Sequence, residues 1–224
     1  MARTLTSKTE STRGEIGQGI YSLAELRLYV AFEAGREASE QVLAWLTDVL
    51  LPVAHTTRRP DYSFSDLISL FVVRELRRAG VQPRAIRDAE AHFRKLWKTD
   101  RPFARETIAT DGVDVYPSRR DIADQLEAGN RGGQQVMFEA VRDRLRNVRY
   151  DDGWATAWSP VPDVVLDPRV QFGEPVIDGT RVPTASIAGS VEAVGEGRTV
   201  QMFQLSADAV RSAVQFERRL SALR

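Results

Sequence analysis

The sequence contains no cysteine, which excludes disulfides, a thiolate nucleophile and any metal centre built from sulfur ligands. Histidine is nearly as scarce. His55 and His92 leave too few imidazoles for a three-histidine zinc site, and no H-E-x-x-H run occurs. Net charge is missing too: 31 Lys and Arg balance 31 Asp and Glu over 224 residues, so no bulk field draws the chain onto nucleic acid or an anionic membrane. The longest apolar run, Leu67 to Val73, is interrupted by Ser69 and is far shorter than the roughly 18 residues of a membrane span. Met1 to Ile20 lacks the apolar core of a signal peptide. With 42% hydrophobic and 28% charged residues, the chain reads as a soluble cytoplasmic protein with a sizeable core. Its length suits one large or two small domains.

What is present is mostly helical pattern. Residues 1–19 hold four threonines, two serines and three glycines, too little apolar surface to offset ordering, and are expected to form a disordered tail. Ser22-Leu23-Ala24-Glu25 has capping-box spacing and opens a first helix with Leu23, Leu26 and Val30 on one face. Gly35 breaks it. Ser39 is placed to cap a second helix whose Val42, Leu43, Leu46 and Leu50 share a face. Ser63 to Asp66 caps a third helix, Gly80 ends it, Pro83 starts a fourth, and Ile86, Ala89, Phe93, Leu96 and Trp97 repeat at helical intervals. Beyond Pro102, Thr107 to Thr110 and Val113 to Tyr116 flank Asp111-Gly112 as a candidate hairpin. Gly132-Gly133 precedes another helical face through Met137, Ala140, Val141 and Leu145, and Trp154 to Trp158 alternates like a strand. Pro160 and Pro162 read as a linker, and two extended pieces surround Gly179 before helices run to the end. The fold class expected is mainly α with small β elements. It divides into residues 20–100, a mixed α/β connector over 101–160, and a small helical, helix-turn-helix-like domain with a hairpin over 161–224.

The zero net charge hides an uneven distribution. Between Arg58 and Arg101 there are eleven Lys or Arg against six Asp or Glu, the electrostatic footprint of a duplex-binding module or simply the solvated face of two amphipathic helices. Arg58 and Arg59 fall in the loop after the second helix, where a wing would carry cations to the DNA backbone, and Gln41 lies early in that helix. The second helix itself has no cation from Ser39 to Leu46. From Val161 to the end, eight acids face seven bases, so this part lacks the term that non-specific DNA binding requires.

Taken in order, Tyr21 to Leu26, Trp45-Leu46, Tyr62 to Leu67, Leu76 to Val81 and Ile86-Arg87 resemble the MerR-like winged helix-turn-helix. The run from Gly173 to Thr184 (GEPVIDGTRVPT), continued by Gly195, Phe203 to Ser206, Val210, Ala213 and Phe216-Glu217, resembles the C-terminal domain of VapB-type antitoxins that carry such an N-terminal domain. The resemblance covers most of residues 21–220. It implies an antitoxin of a type II toxin–antitoxin system that neutralises a partner toxin, commonly a PIN-like ribonuclease, and represses its own operon by binding operator DNA as a homodimer. The residues expected at DNA are Arg58, Arg59, Gln41, Arg77, Arg78, Arg84 and Arg87; those expected at the toxin are Arg181, Arg218, Arg219 and Arg224.

Several alternatives stay open at this point. Gly173, Pro175, Gly179 and Pro183 suit a rigid hairpin with no ligand. Arg181 either pairs locally with Asp178 or reaches a carboxylate cluster on the toxin. Thr199 to Gln204, a turn at Leu205-Ser206 and a helix with Ala209, Ala213, Phe216 and Leu220 inward and Arg211, Ser212 and Gln215 outward form a second helix-turn-helix pattern, read first as a toxin-binding or dimer-forming element. Asp151-Asp152-Gly153 reads as a turn rather than half a metal site. No catalytic residue, metal site or cofactor is expected. The rival functions are a ligand-responsive MerR-like regulator without a toxin and a protein-binding module that no longer contacts DNA.

Overall fold

The computed structural model describes residues 20–32, 34–50, 61–110, 142–143 and 145–224. The expected tail over 1–19, the loop with His55, Arg58 and Arg59, the Asp111-Gly112 hairpin and the helical face from Gly132 to Val141 lie outside the described residues.

The first helix, α1 (Leu23–Ala31), starts as the sequence predicts: the Ser22 amide donates to Glu25 Oε2 at 2.7 Å and the Glu25 amide donates to Ser22 Oγ at 3.3 Å. Next, α2 (Arg36–Ala44) begins four residues earlier than a cap at Ser39 would place it. Gly35, at φ +81°, is its N-cap, because the chain must reverse direction there and only glycine takes that conformation readily. A π-helical turn (Trp45–Val49) follows, closed by the Leu50 amide donating to Trp45 O at 2.8 Å. Trp45, Leu46, Val49 and Leu50 are buried, whereas Leu43, expected inside, is 42% exposed.

Central to the fold is α3 (Phe64–Arg78), buried from Asp66 to Leu76 and capped by a second box in which Ser63 and Asp66 exchange hydrogen bonds at 2.7 and 3.2 Å. Tyr21 and Tyr62, each preceding a capping serine, hydrogen bond reciprocally through their backbones at 2.8 and 2.9 Å. The two helices therefore start side by side. Gly80 (φ +87°) ends α3, with the Val81 amide donating to Leu76 O at 3.0 Å. Pro83 then occupies the first turn of α4 (Pro83–Trp97).

After a 3-10 turn at Pro102–Ala104 comes α5 (Glu106–Thr110), where a strand was expected. The β-branched residues yield to tertiary contacts: the Glu106 amide donates to Gly153 O at 3.0 Å, and Ile108 is buried. An antiparallel meander then runs β1 (Val148–Asp151), β2 (Trp154–Val161), β3 (Val164–Leu166) and β4 (Pro175–Ile177), neighbours in that order. Asp152 (φ +50°) and Gly153 (φ +75°) make the β1–β2 turn, as Asp-Asp-Gly suggests. Pro160 is not in a linker. It is buried within β2, where the register with β3 shifts between Trp158 and Val161, so its missing N–H falls at a break in the ladder. Pro162 is in the turn that follows.

The last three helices are α6 (Thr184–Val194), α7 (Glu196–Phe203) and α8 (Ala207–Leu223). As expected, Ala209, Ala213, Phe216 and Leu220 of α8 are buried while Arg211 and Gln215 are exposed. The architecture is mainly α with a small four-stranded sheet. One continuous apolar core runs from Tyr21 and α3 through Trp158 and Leu166 to Phe216 and Leu220, with Phe71 edge-on to Trp158 at 4.4 Å and Phe32 against Phe216 at 4.9 Å. A smaller core of Ile177, Ile187, Val210 and Ala213 joins β4 to α6 and α8.

Candidate functional site

One exposed cationic stripe and one region with separate exposed arginines follow from this packing. The first arises because the interior takes up more acid than base. Asp66, Glu75 and Glu90 are buried, against Arg74 and Arg101. Arg101 Nε donates to Asp66 Oδ1 at 2.5 Å, Arg74 Nε to Glu75 Oε1 at 2.7 Å, and half-buried Arg94 to Glu90 Oε1 at 2.8 Å. Two of the cations counted between Arg58 and Arg101 are thus interior ion-pair partners. The surface left behind is still basic. Arg84, Arg87, Lys95 and Lys98 are exposed along α4 and its C-cap, and none of them forms an ion pair among the described residues. Spacings of three, eight and three residues keep them on one side of the helix.

The other expected DNA contacts fare differently. Arg78 is exposed but lies 3.6 Å from Glu75. Arg77 is half-buried and donates to Val81 O at 2.6 Å, so it helps to cap α3. Gln41 is half-buried on α2, whose exposed residues include Glu37 and Glu40. A duplex approaching α2 would meet Glu37 and Glu40 against Arg36, whereas one approaching α4 would meet four cations against Asp88.

The second region surrounds the Gly173-to-Thr184 run. Gly173 is buried at φ +92°, and its carbonyl accepts from Tyr21 Oη at 3.1 Å. The Ile20 amide donates to Phe172 O at 3.1 Å. This run therefore latches the start of α1 onto the sheet. The Tyr21 phenol is pushed well above its ordinary pKa by burial, reinforced by Tyr29, Glu25 and Asp167, so it remains a neutral donor. Tyr29 is shifted the same way by burial and by Glu25, Glu217 and Glu174, with Arg224 opposing. Thr184, fully buried at the start of α6, donates to Glu217 Oε1 at 2.5 Å and fixes α8 against α6.

Asp178 does not pair with Arg181. Its carboxylate takes both terminal nitrogens of Arg149, 29 residues upstream on β1, one of them at 3.0 Å. The bidentate geometry is strong. It holds Asp178 below the usual carboxylate range, the Arg149 hydrogen bond being the main cause. The Gly179 turn directs Arg181 elsewhere: Arg181 is exposed, has no ion pair among the described residues, and is held only through its carbonyl, which accepts from Gln171 Nε2 at 3.2 Å. Arg218 is exposed on α8, Arg219 lies over the Phe32 ring at 5.8 Å, and Arg224 is exposed at the end of the chain. Arg219 and Arg224 thus flank α1, and Arg181 stands on the β4–α6 loop.

Residues 164–216 match the family model described as a protein of unknown function (DUF433). The chain is 29% identical over 171 residues to a Mycobacterium tuberculosis protein named "Putative antitoxin VapB45", a match covering 67% of this chain and 69% of that one. The crystal structure of Rv2018 from Mycobacterium tuberculosis superposes with a TM-score of 0.64 over 87% of this chain and 96% of its own, at 21% identity; that likeness is one of fold. Among the described residues, no helix is long and apolar enough to cross a membrane. Sequence reasoning gave Phe172 no role, although it is the most exposed large apolar side chain described, at 75%. Its only signal was an aromatic residue in a run otherwise explained by glycine, proline and valine.

Proposed function

We propose that this protein is a non-catalytic antitoxin of a type II toxin–antitoxin system. It binds and neutralises a PIN-like ribonuclease through residues 161–224 and, as a homodimer, represses its own operon through residues 20–100. The observation that carries this reading is the 171-residue similarity to a relative named as an antitoxin, joined to exposed, unpaired cations in both parts of the chain. Toxin binding would use Arg181, Arg218, Arg219 and Arg224, since a guanidinium is the natural partner of clustered carboxylates. Operator binding would use the α4 stripe with Arg58, Arg59 and Arg78. Arg77 and Gln41, half-buried, would contribute less.

Co-expression with the adjacent open reading frame tests the antitoxin role: the frame should arrest growth alone and become harmless with this protein. A frame that is harmless alone, or still toxic in its presence, refutes the reading. For operator binding, changing Arg84, Arg87 and Lys95 together to Ala should lower the log–log salt slope of promoter binding by about one per lost phosphate contact. An unchanged slope would remove α4 from the DNA surface.

A further inference from the structure

We infer that Phe172, presented on a strained turn beside Arg181, is the apolar anchor by which this protein grips its partner protein. The inference rests on the antitoxin reading and goes beyond it by naming the contact. Gln171 (φ +47°), Phe172 (φ +55°) and Gly173 (φ +92°) follow one another in the left-handed region. Glycine does so freely, but glutamine and phenylalanine do not, and a bulky side chain there is an outlier. The ring gains nothing within the described fold that would offset this strain, since it is 75% exposed. Two unfavourable features, strain and aromatic exposure, therefore meet at one residue.

The turn beneath the ring is firmly held. The Gly173 amide donates to Val170 O at 3.0 Å, the Glu174 amide to Gln171 O at 3.0 Å, and Tyr21 Oη to Gly173 O at 3.1 Å. Gln171 Nε2 ties the same turn to the Arg181 carbonyl at 3.2 Å. The turn that carries the ring is thus tied to the backbone of Arg181, and Ile20, 59% exposed, extends the apolar surface. A pre-organised aromatic beside an arginine is the composition of an interface hot spot. Arg181 lacks a carboxylate among the described residues, so the partner must bring one. The surface that fits is a protein with an apolar pocket deep enough for a phenyl ring and a carboxylate at its rim.

The test compares full-length wild type, F172G, F172W and R181A by calorimetric titration with the purified product of the adjacent reading frame, alongside thermal melts and sedimentation velocity of each variant alone. Glycine relieves the left-handed strain, so F172G should melt at or above the wild-type temperature while binding at least tenfold more weakly; R181A should also weaken binding, and F172W should retain it. Wild-type binding with F172G equally tight overturns the anchor but leaves the antitoxin reading intact. No binding by wild type overturns both. A fall in the F172G melting temperature would place the ring inside this chain's own fold. A dimer lost on F172G substitution would assign the ring to a second copy, and either result overturns the proposal.

Discussion

Replacing Gly173 by alanine would strike the latch between α1 and the sheet. The residue sits at φ +92°, and a Cβ there would run into the Tyr21 hydroxyl and come within 2.8 Å of Cζ. Three costs follow. A left-handed alanine costs about 1 to 2 kcal/mol, overpacking a filled site about 1 to 3 kcal/mol, and loss of the Tyr21–Gly173 hydrogen bond about 1 kcal/mol. They overlap, because one displacement of the ring relieves the clash and breaks the bond together. We therefore expect a loss of about 4 kcal/mol, equivalent to roughly 8 to 16 °C in melting temperature for a chain of this size. Gly179 supplies the control: its φ is +74°, yet an added Cβ meets nothing within 4 Å, so Gly179→Ala should lose only the conformational cost of about 1 to 2 kcal/mol. Thermal and urea melts followed by circular dichroism read both. Combining Gly173→Ala with Tyr21→Phe should cost less than the two changes summed, since both remove the same hydrogen bond. Equal losses at Gly173 and Gly179, or strict additivity in the double variant, would refute the latch.

Three other outcomes follow from the ionic and capping contacts. Arg101→Met should destabilise by about 3 kcal/mol in urea melts, because it leaves the buried Asp66 charge with only its Ser63 hydrogen bonds, and Arg101→Lys should not restore the side-on contact. Ser63→Ala and Ser22→Ala should each cost about 1 kcal/mol through the lost cap, measurable in the same melts. Asp178 and Asp167 titrate below their ordinary value in the folded protein: Arg149 lowers Asp178, while at Asp167 burial is outweighed by side-chain and backbone hydrogen bonds from Arg169. Their contribution is accordingly complete above the unfolded value near pH 4 and is lost as pH falls through the lower folded values. Asp178→Asn should flatten the acid limb of stability against pH; an unchanged limb would show that the Arg149 pair is solvent-screened to no effect.

The helices around the central core were legible because each carried its own punctuation. Ser63, Gly80 and Pro83 mark ends by local chemistry that tertiary packing leaves alone. What failed were inferences from nearness along the chain. Arg181 lies three residues from Asp178 and does not touch it, whereas Arg149, 29 residues away, is brought there by the meander. Thr107 to Thr110 has strand-like composition, but the Gly153 carbonyl and burial of Ile108 decide its state. Leu43 points outward because it lies past the edge of the face formed by Val42, Trp45, Leu46 and Val49. The candidate cations were visible as a count, but only the structure separates Arg74 and Arg101, interior partners, from Arg84, Arg87, Lys95 and Lys98 outside.

The Tyr21–Gly173 bond spans 152 residues of chain, which bears on how the molecule is made. At roughly 5 to 20 residues per second, about 8 to 30 seconds separate synthesis of the tyrosine from that of its acceptor. During that interval α1 has its cap and its pairing with Tyr62 but not the Gly173 latch, and the side of the core facing α8 stays open. Synthesis of the segment that supplies Leu166, Gly173, Phe216 and Leu220 therefore completes the packing around α1.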